Sequence, residues 1–550
     1  KDGLTRFMDR TLGWFFRPFN RFFEWASHAY STGVARLLRV SAIALVVYVG
    51  LLAFTAFSFK KIPTGFVPTQ DKQYLVSFAQ LPAAASLERT DQVIRRMSAI
   101  ALKHPGVANA VAFPGLSING FTNSPNSGIV FVTLKPFEDR TAPELSGQAI
   151  AQDLQQEFAQ IQDAYIAIFP PPPVQGLGTI GGFKLYVEDR ADNGLDALYR
   201  ATQGLIGKGY QTPGLTGLFS SFTINTPQLD AEIDRSKAKA EGVPLQNIFE
   251  TMQINLGSLY VNDFNRFGRT YQVIAQADAR FREKPDDILR LKTRNLAGDL
   301  VPLGSFVKVK DSYGPDRVMR YNGYPAAEIN GAPAPGYSSG QAEALMQKLA
   351  SENLPRGMAV EWTELTYQKI LAGNAGLWVY PISILLVFLV LAAQYESFRL
   401  PFAVILIVPM ALFSAMVGLW LTRGENNVFT QIGLIVLIGL AAKNAILIVE
   451  FALKRRDEGA SITDAALEAA RLRLRPILMT SIAFIAGVFP LVVSHGAGAE
   501  MRRAMGIAVF SGMIGVTFFG LFLTPVFYVV LEKLGLRKAP VAAVPAIQHA

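Results

Sequence analysis

At 550 residues the chain is too long for one ordinary domain, and half of it is apolar, only 17% is charged and the mean hydropathy is +0.26. This balance fits a polytopic membrane protein that also carries soluble mass. The absence of cysteine excludes disulfides, thiolate zinc sites and thiol chemistry. The net charge of +9 comes without a basic stripe of interleaved aromatics in the soluble part, so no nucleic-acid partner is expected. The chain opens on Lys1 with no initiator Met and no signal peptide, and is expected to be a fragment or processed portion of a longer one.

Residues 1–36 interleave Phe7, Trp14, Phe15, Phe19, Phe22, Phe23 and Trp25 with Arg6, Arg10, Arg17 and Arg21. Such a segment is expected to lie as an amphipathic helix at the headgroup level of a lipid membrane, or to be a partly buried linker helix. Residues 37–59 form the first apolar stretch long enough to cross the hydrocarbon. Five more follow within 376–531, at 376–393, 400–422, 428–451, 476–494 and 504–531. Basic residues cluster in three places: the arm, the loop holding Lys454, Arg455, Arg456, Arg471, Arg473 and Arg475, and the tail 532–550. With six spans these fall on one side, which the positive-inside rule makes cytoplasmic, with Arg502 and Arg503 as the exception. The block between the first two spans is then expected outside.

Within that block, 73–82 alternates like a strand, 86–103 like an amphipathic helix, and 107–113 and 128–135 like strands. Residues 142–161 return to helix and 164–169 to strand. The order is βαββαβ, the ferredoxin-like arrangement, over 60–176. The Pro170–Pro173 run reads as a stiff joint. A second unit begins at Phe183 with a strand, a helix near 194–209 and a strand near 215–224, and its remaining partners lie at 318–330, 338–352 and 358–364. It therefore spans 177–224 and 311–366, interrupted by an insertion at 225–310. The fold expected is an α+β membrane protein: six transmembrane helices plus two ferredoxin-like units outside.

Lys443 carries the most information. It lies about 11 residues, or roughly 16 Å, from Lys454, which is mid-bilayer and too deep for snorkelling. An ionised Lys there costs at least about 2.5–3.5 kcal/mol, so it needs a polar interior and a partner. No Asp or Glu lies in the apolar body of any span; Glu450 is at a helix end. The counter-charge is expected from another chain or a missing half, unless Lys443 is neutral. Asn444 adjoins it, and Thr480 and Ser481 sit in the next span, as a proton relay or as polar contacts between helices.

The soluble block holds no phosphate loop, metal spacing or nucleophile elbow, and the four histidines of the chain, His28, His104, His495 and His549, are scattered. It does hold a Gly/Ser/Asn-rich loop at 114–128 with the isolated apolar residues Leu116, Ile118 and Phe121, which suits adaptable binding. Phe131 and Phe169, on flanking strands, are candidates to line the same cleft, or to be core.

Three stretches, GLAAKNAILIVEFA at 439–452, RLRLRPILMTSIAFIAGVFPLVVSHGAG at 471–498 and LAAQYESFRLPF at 391–402, resemble the resistance–nodulation–division (RND) efflux pumps. YVNDFNRFGRTYQV at 260–273 and the loop stretch point to the hydrophobe/amphiphile multidrug branch. The likeness runs from about residue 4 to 535 and covers the second half of such pumps only. It implies that the two ferredoxin-like units are porter subdomains, that 225–310 is a docking subdomain, and that Lys443, Thr480 and Arg473 match the family's proton relay. The relay's two aspartates would come from the other half. Leu116, Ile118 and Phe121 fall in what resembles the switch loop, Val111, Phe113 and Phe131 in the deep pocket, and Phe169 at the entrance cleft. The resemblance further implies an inner-membrane homotrimer of a Gram-negative bacterium that works with a periplasmic membrane-fusion adaptor and an outer-membrane channel. Protons would be the coupling ion, with no cofactor. The switch loop is longer here than in the best-known members. Phe219 and Gly176 stand where some members have polar residues, which points to a less charged substrate set.

Within transport, a heavy-metal exporter is disfavoured by well-spread methionines and no cysteine. A protein-export accessory would not need the aromatic cleft or the insertion. A membrane enzyme is disfavoured by the empty inventory of catalytic groups.

Overall fold

The structure, a computed structural model, describes residues 13–535 apart from Asn119 and Asn374. The first part of the arm, with Arg6, Phe7 and Arg10, and most of the tail lie outside the described residues. Among those described, six helices are long and apolar enough to cross a membrane: Ser41–Lys61, Trp378–Tyr395, Leu400–Leu421, Val428–Asp457, Ile462–Val492 and Ala499–Leu534, the first to sixth spans below. The last three run past their expected ends, because helical hydrogen bonding continues in water and the charged turns need not unwind.

The third, fourth and sixth spans bury 56%, 56% and 61% of their most apolar windows, the first, second and fifth only 17%, 6% and 11%. The bundle therefore has a packed centre and three loosely covered helices. Glycine sets the closeness of that centre: a Cβ at Gly512 would strike the Leu437 side chain, and one at Gly515 the Ser414 side chain. The third span breaks between Ile405 and Val408, where Pro409 cannot donate to the preceding turn. The Tyr48 hydroxyl of the first span donates to the Leu406 carbonyl at this break, 2.6 Å away. The arm is a helix, Gly13–Arg39, and one face of it packs on the bundle. Tyr30 donates to the Leu521 carbonyl at 2.7 Å, and Arg475 lies 5.7 Å over the Phe23 ring. Phe22 and Trp25 remain exposed.

The sheet-rich block begins with β1 (Tyr74–Gln80), α1 (Leu87–Ala101), β2 (Val107–Leu116), β3 (Asn123–Leu134), α2 (Gly147–Phe158) and β4 (Tyr165–Phe169). The antiparallel sheet runs β2-β3-β1-β4. Its alternation sends Leu75, Ala79, Val130, Val132, Ile166 and Ile168 to a core with Met97 of α1 and Phe158 of α2. The second unit has β5 (Phe183–Asp189), α3 (Leu195–Tyr210) and β6 (Leu215–Phe219).

The chain then leaves along β7 (Thr226–Ile233), forms the hairpin β8 (Leu259–Arg266) and β9 (Arg269–Ala275) and the short pair β10 (Lys292–Arg294) and β11 (Leu300–Pro302), and returns along β12 (Val307–Gly314). β7 pairs with β12, and this inserted unit has its own core around Ala238, Ile248, Leu303 and Phe306. The unit closes with β13 (Met319–Tyr321), β14 (Tyr324–Pro333), α4 (Ser339–Asn353) and β15 (Met358–Trp362), followed by α5 (Glu364–Ala372), which leads to the second span. β6, β14, β5 and β15 lie in the same relative order as the first sheet. The strand expected over 318–330 is thus the hairpin β13–β14.

The block is tied to the bundle through backbone. The Thr64 carbonyl accepts from the Ser338 hydroxyl at 2.8 Å and the Gly340 N–H at 3.2 Å, and the Asn426 N–H donates to Pro63 at 2.9 Å. Nearby, Arg140 forms a bidentate pair with Asp71, at 2.9 and 3.2 Å, with 1% of its side chain exposed. Burial raises the Asp71 carboxyl, but Arg140 and the N–H groups of Gln73 and Gly147 outweigh it and hold it below the ordinary carboxylate range. A depressed carboxylate stabilises the fold above its unfolded value and loses that contribution as pH falls through the folded value. Arg140→Met leaves a buried charge unpaired and is expected to cost about 3–5 kcal/mol, read as a lower urea midpoint in pulse proteolysis of the full-length protein. Adding Asp71→Asn recovers part of the loss; an unchanged midpoint in the single variant refutes the assignment.

Candidate functional site

The face of the first sheet opposite α1 and α2 is also apolar. Register places Val111 and Phe113 of β2, Ile129 and Phe131 of β3, Val76 and Phe78 of β1, and Ala167 and Phe169 of β4 side by side on it. A second apolar face on a strand has to be covered or used. At the β4 side it is covered: Phe219 of β6 sits 4.6 Å from Phe78 and 6.0 Å from Phe169, with Ile180 of the segment between β4 and β5 alongside. At the β2 side it is open, with Val111 47% and Phe113 42% exposed. Phe113 and Phe131 meet edge to face at 5.9 Å.

The expected loop at 114–128 is shorter than its composition suggests. β2 continues to Leu116 and β3 starts at Asn123, leaving a tip of 117–122. The polar residues serve the backbone instead: Ser124 donates to Asn126, and Asn126 donates to the Leu81 carbonyl. From this tip Ile118 folds inward and is 6% exposed, in one cluster with Leu116, Phe131 and Phe169. Phe121 does not join them; it has a left-handed φ of 50° and is 49% exposed. Arg317 donates to the Thr122 hydroxyl and so holds the tip to the second unit. Sequence reading missed Val76, Phe78 and Ile180; the Tyr74-Val76-Phe78 alternation carried the signal for the first two.

The opposing wall belongs to the second sheet. Its non-core face carries Lys184 beside Asn330, and Tyr186 between Glu328 and Glu361. Arg190 pairs with Glu188 at 2.7 Å and Glu361 at 2.6 Å, and the Ser221 N–H donates to Glu328 at 2.9 Å. Gly176 has open space around it and Phe219 is aromatic, while the strands beside them carry charged side chains. The apolar face of the first unit and this polar face of the second meet where Ile118 and Ile180 share a cavity with Lys184, Phe219 and Asn330.

In the bundle, the uncovered stripe of the fourth span holds Ile432, Val436, Gly439, Lys443 and Glu450, spaced three, four or seven apart. Lys443 is exposed there, with no carboxylate at ion-pair distance among the described residues. Asn444, the next residue, turns about 100° away. It is 2% exposed and donates to the Ser481 hydroxyl of the fifth span at 3.2 Å. The Thr480 hydroxyl donates to its own helix, at Ile477, 3.1 Å away. The Arg473 guanidinium lies 4.8 Å over the Phe451 ring. The structure thus separates Lys443 and Asn444 onto different faces, and brings Asn444 to Ser481.

Six candidate spans and a sheet-rich block of two units with an insertion fit the fold of the RND transporters. The chain is 40% identical over 526 residues to the multidrug export protein AcrF of Escherichia coli (strain K12), covering 95% of this chain and 50% of that one. It is 40% identical over 531 residues to the multidrug/solvent efflux pump membrane transporter MepB of Pseudomonas putida, covering 96% and 50%. It is 39% identical over 526 residues to the multidrug resistance protein MdtF of Escherichia coli (strain K12), covering 95% and 50%. The chain belongs to the AcrB/AcrD/AcrF family, whose model matches residues 4–532. It spans about half the length of these relatives.

Proposed function

We propose that this chain is the C-terminal half of an inner-membrane pump that exports amphiphilic drugs and other toxic compounds in exchange for protons. The observation that carries this reading is the uncovered half of the first sheet face, where Val111, Phe113 and Phe131 present the apolar surface that the apolar body of an amphiphile requires. The two βαββαβ units are the porter subdomains, ferredoxin-like in strand order, and the inserted unit docks to an outer-membrane channel, with a periplasmic adaptor completing the system. The block lies in the periplasm of a Gram-negative bacterium. Hairpin β8–β9, exposed along its whole length with Tyr260, Val261, Phe264 and Phe267 outward, supports assembly into a homotrimer. The N-terminal half of the pump supplies carboxylates to Lys443, protons are the coupling ion, and no cofactor takes part.

The test is dye efflux by the full-length protein in vesicles with and without a proton gradient; gradient-independent efflux, or none, refutes the reading. Phe131→Ala is expected to change resistance unevenly across drugs, since each aromatic contact contributes about 0.5–1.5 kcal/mol and ligands use it differently. Equal loss for every drug together with lowered protein abundance would make Phe131 a packing residue only.

A further inference from the structure

Lys184 and Glu364, far apart in the chain, meet in the cleft. The Lys184 amine is 3.4 Å from Glu364 Oε1 and 5.6 Å from the Tyr186 ring, and its side chain is 10% exposed. Glu364 opens α5 with a left-handed φ of 56°, unusual for a residue with a Cβ. Such a conformation persists where surroundings hold it. Here the surroundings are Lys184 and Gly178, of the segment between β4 and β5, where any Cβ would crowd the Glu364 carboxylate. Beside the pair is a cavity lined by Ile118, Thr179, Ile180, Lys184, Phe219 and Asn330. At about 10 Å³ it has room for one water, and Ile118 forms part of its wall. Its polar lining is an ammonium, a hydroxyl and an amide, with no carboxylate among the lining residues.

The two partners are not equally secure. Burial works against the Lys184 charge, but Glu364, Tyr186 and Glu328 outweigh it and hold the amine above its ordinary value. Burial pushes the Glu364 carboxyl up by more than Lys184 pulls it down. The cation is well supported and its anion is not, and Glu328 is already occupied by Ser221. At 3.4 Å the pair is longer than a charge-assisted hydrogen bond of about 2.7–2.9 Å, so the buried ammonium has room to accept a better placed anion.

We propose that Lys184 determines specificity in this cleft by receiving the acid group of carboxylate-bearing amphiphiles, and that Glu364 stands in for that group when no such ligand is bound. The apolar body of the ligand lies against Phe219 and the first sheet face. The inference rests on the export reading for its biological use.

The test is equilibrium binding of dansyl undecanoic acid and of its methyl ester to the purified full-length transporter. The probes share a body and differ in charge. Lys184→Met lowers the acid-over-ester preference by about tenfold or more, the size of one lost charge-assisted hydrogen bond. Glu364→Gly, which also relieves the left-handed strain, raises the preference by removing the internal competitor. The proposal is overturned if Lys184→Met keeps the preference, or if Glu364→Gly fails to raise it, whether or not the Met variant folds. A transporter that binds both probes but exports neither speaks against the export reading alone, because binding is measured without transport.

Discussion

Lys443→Ala in the full-length transporter is expected to abolish export while the protein still inserts, folds and binds substrate in the cleft. Lys443 lies on the uncovered stripe of the fourth span, so shortening it removes no packing within this chain. In the complete pump it is expected to face carboxylates of the other half. An ammonium within a few ångströms lowers a carboxylate pKa by about 1–3 units. Each unit is worth about 1.4 kcal/mol of coupling between protonation and geometry. That is enough to bias a helix arrangement with two states. Lys443→Arg is also expected to be severely impaired, since the guanidinium fork differs in shape and hydration. Drug resistance measured beside protein abundance decides the matter: normal resistance in Lys443→Ala makes the residue structural. Asn444→Leu should behave differently. It loses the bond to Ser481, a contact worth about 0.6 kcal/mol in typical bundles, and its effect should appear in stability before transport.

Residues 1–550 expressed alone in a pump-deficient strain are expected to confer no resistance, and co-expression of the missing half is expected to restore it. Three spans of this chain are left largely uncovered, and one uncovered stripe carries Lys443, with no carboxylate at ion-pair distance among the described residues. Facing lipid, that lysine costs at least about 2.5–3.5 kcal/mol if ionised. Without carboxylates to titrate it has no proton to couple. Resistance at the level of a full pump from this chain alone would sink the half-transporter reading.

Much of the architecture was legible in the sequence for a physical reason. The hydrocarbon thickness selects runs of about 20 apolar residues, a property that needs no knowledge of what lies nearby. Period-2 and period-3.6 alternation likewise marks β1, α1, β3, α2 and β4 from local spacing. Local composition misleads at 114–128, where Ser and Asn read as loop formers while the ladder between β2 and β3 continues to Leu116 and Asn123.

The sites depended on relations between distant residues. Alternation assigns Phe131 to one of two faces of β3 but does not say which face α1 and α2 will cover; only packing placed it on the open one. Helical spacing puts Lys443 and Asn444 about 100° apart, yet which of them meets the fifth span was decided by the assembled bundle. Ile118 and Phe121, read alike as apolar residues in a loop, part company because one finds the Phe169 cluster and the other solvent. Nothing local in the chain joins Lys184 to Glu364. What the sequence by itself determined is the membrane spans and the order of elements, because those follow from local hydrophobicity and period. What the tertiary structure decided is the cleft, the open stripe and the buried ion pair, because each exists only where separate elements come within a few ångströms.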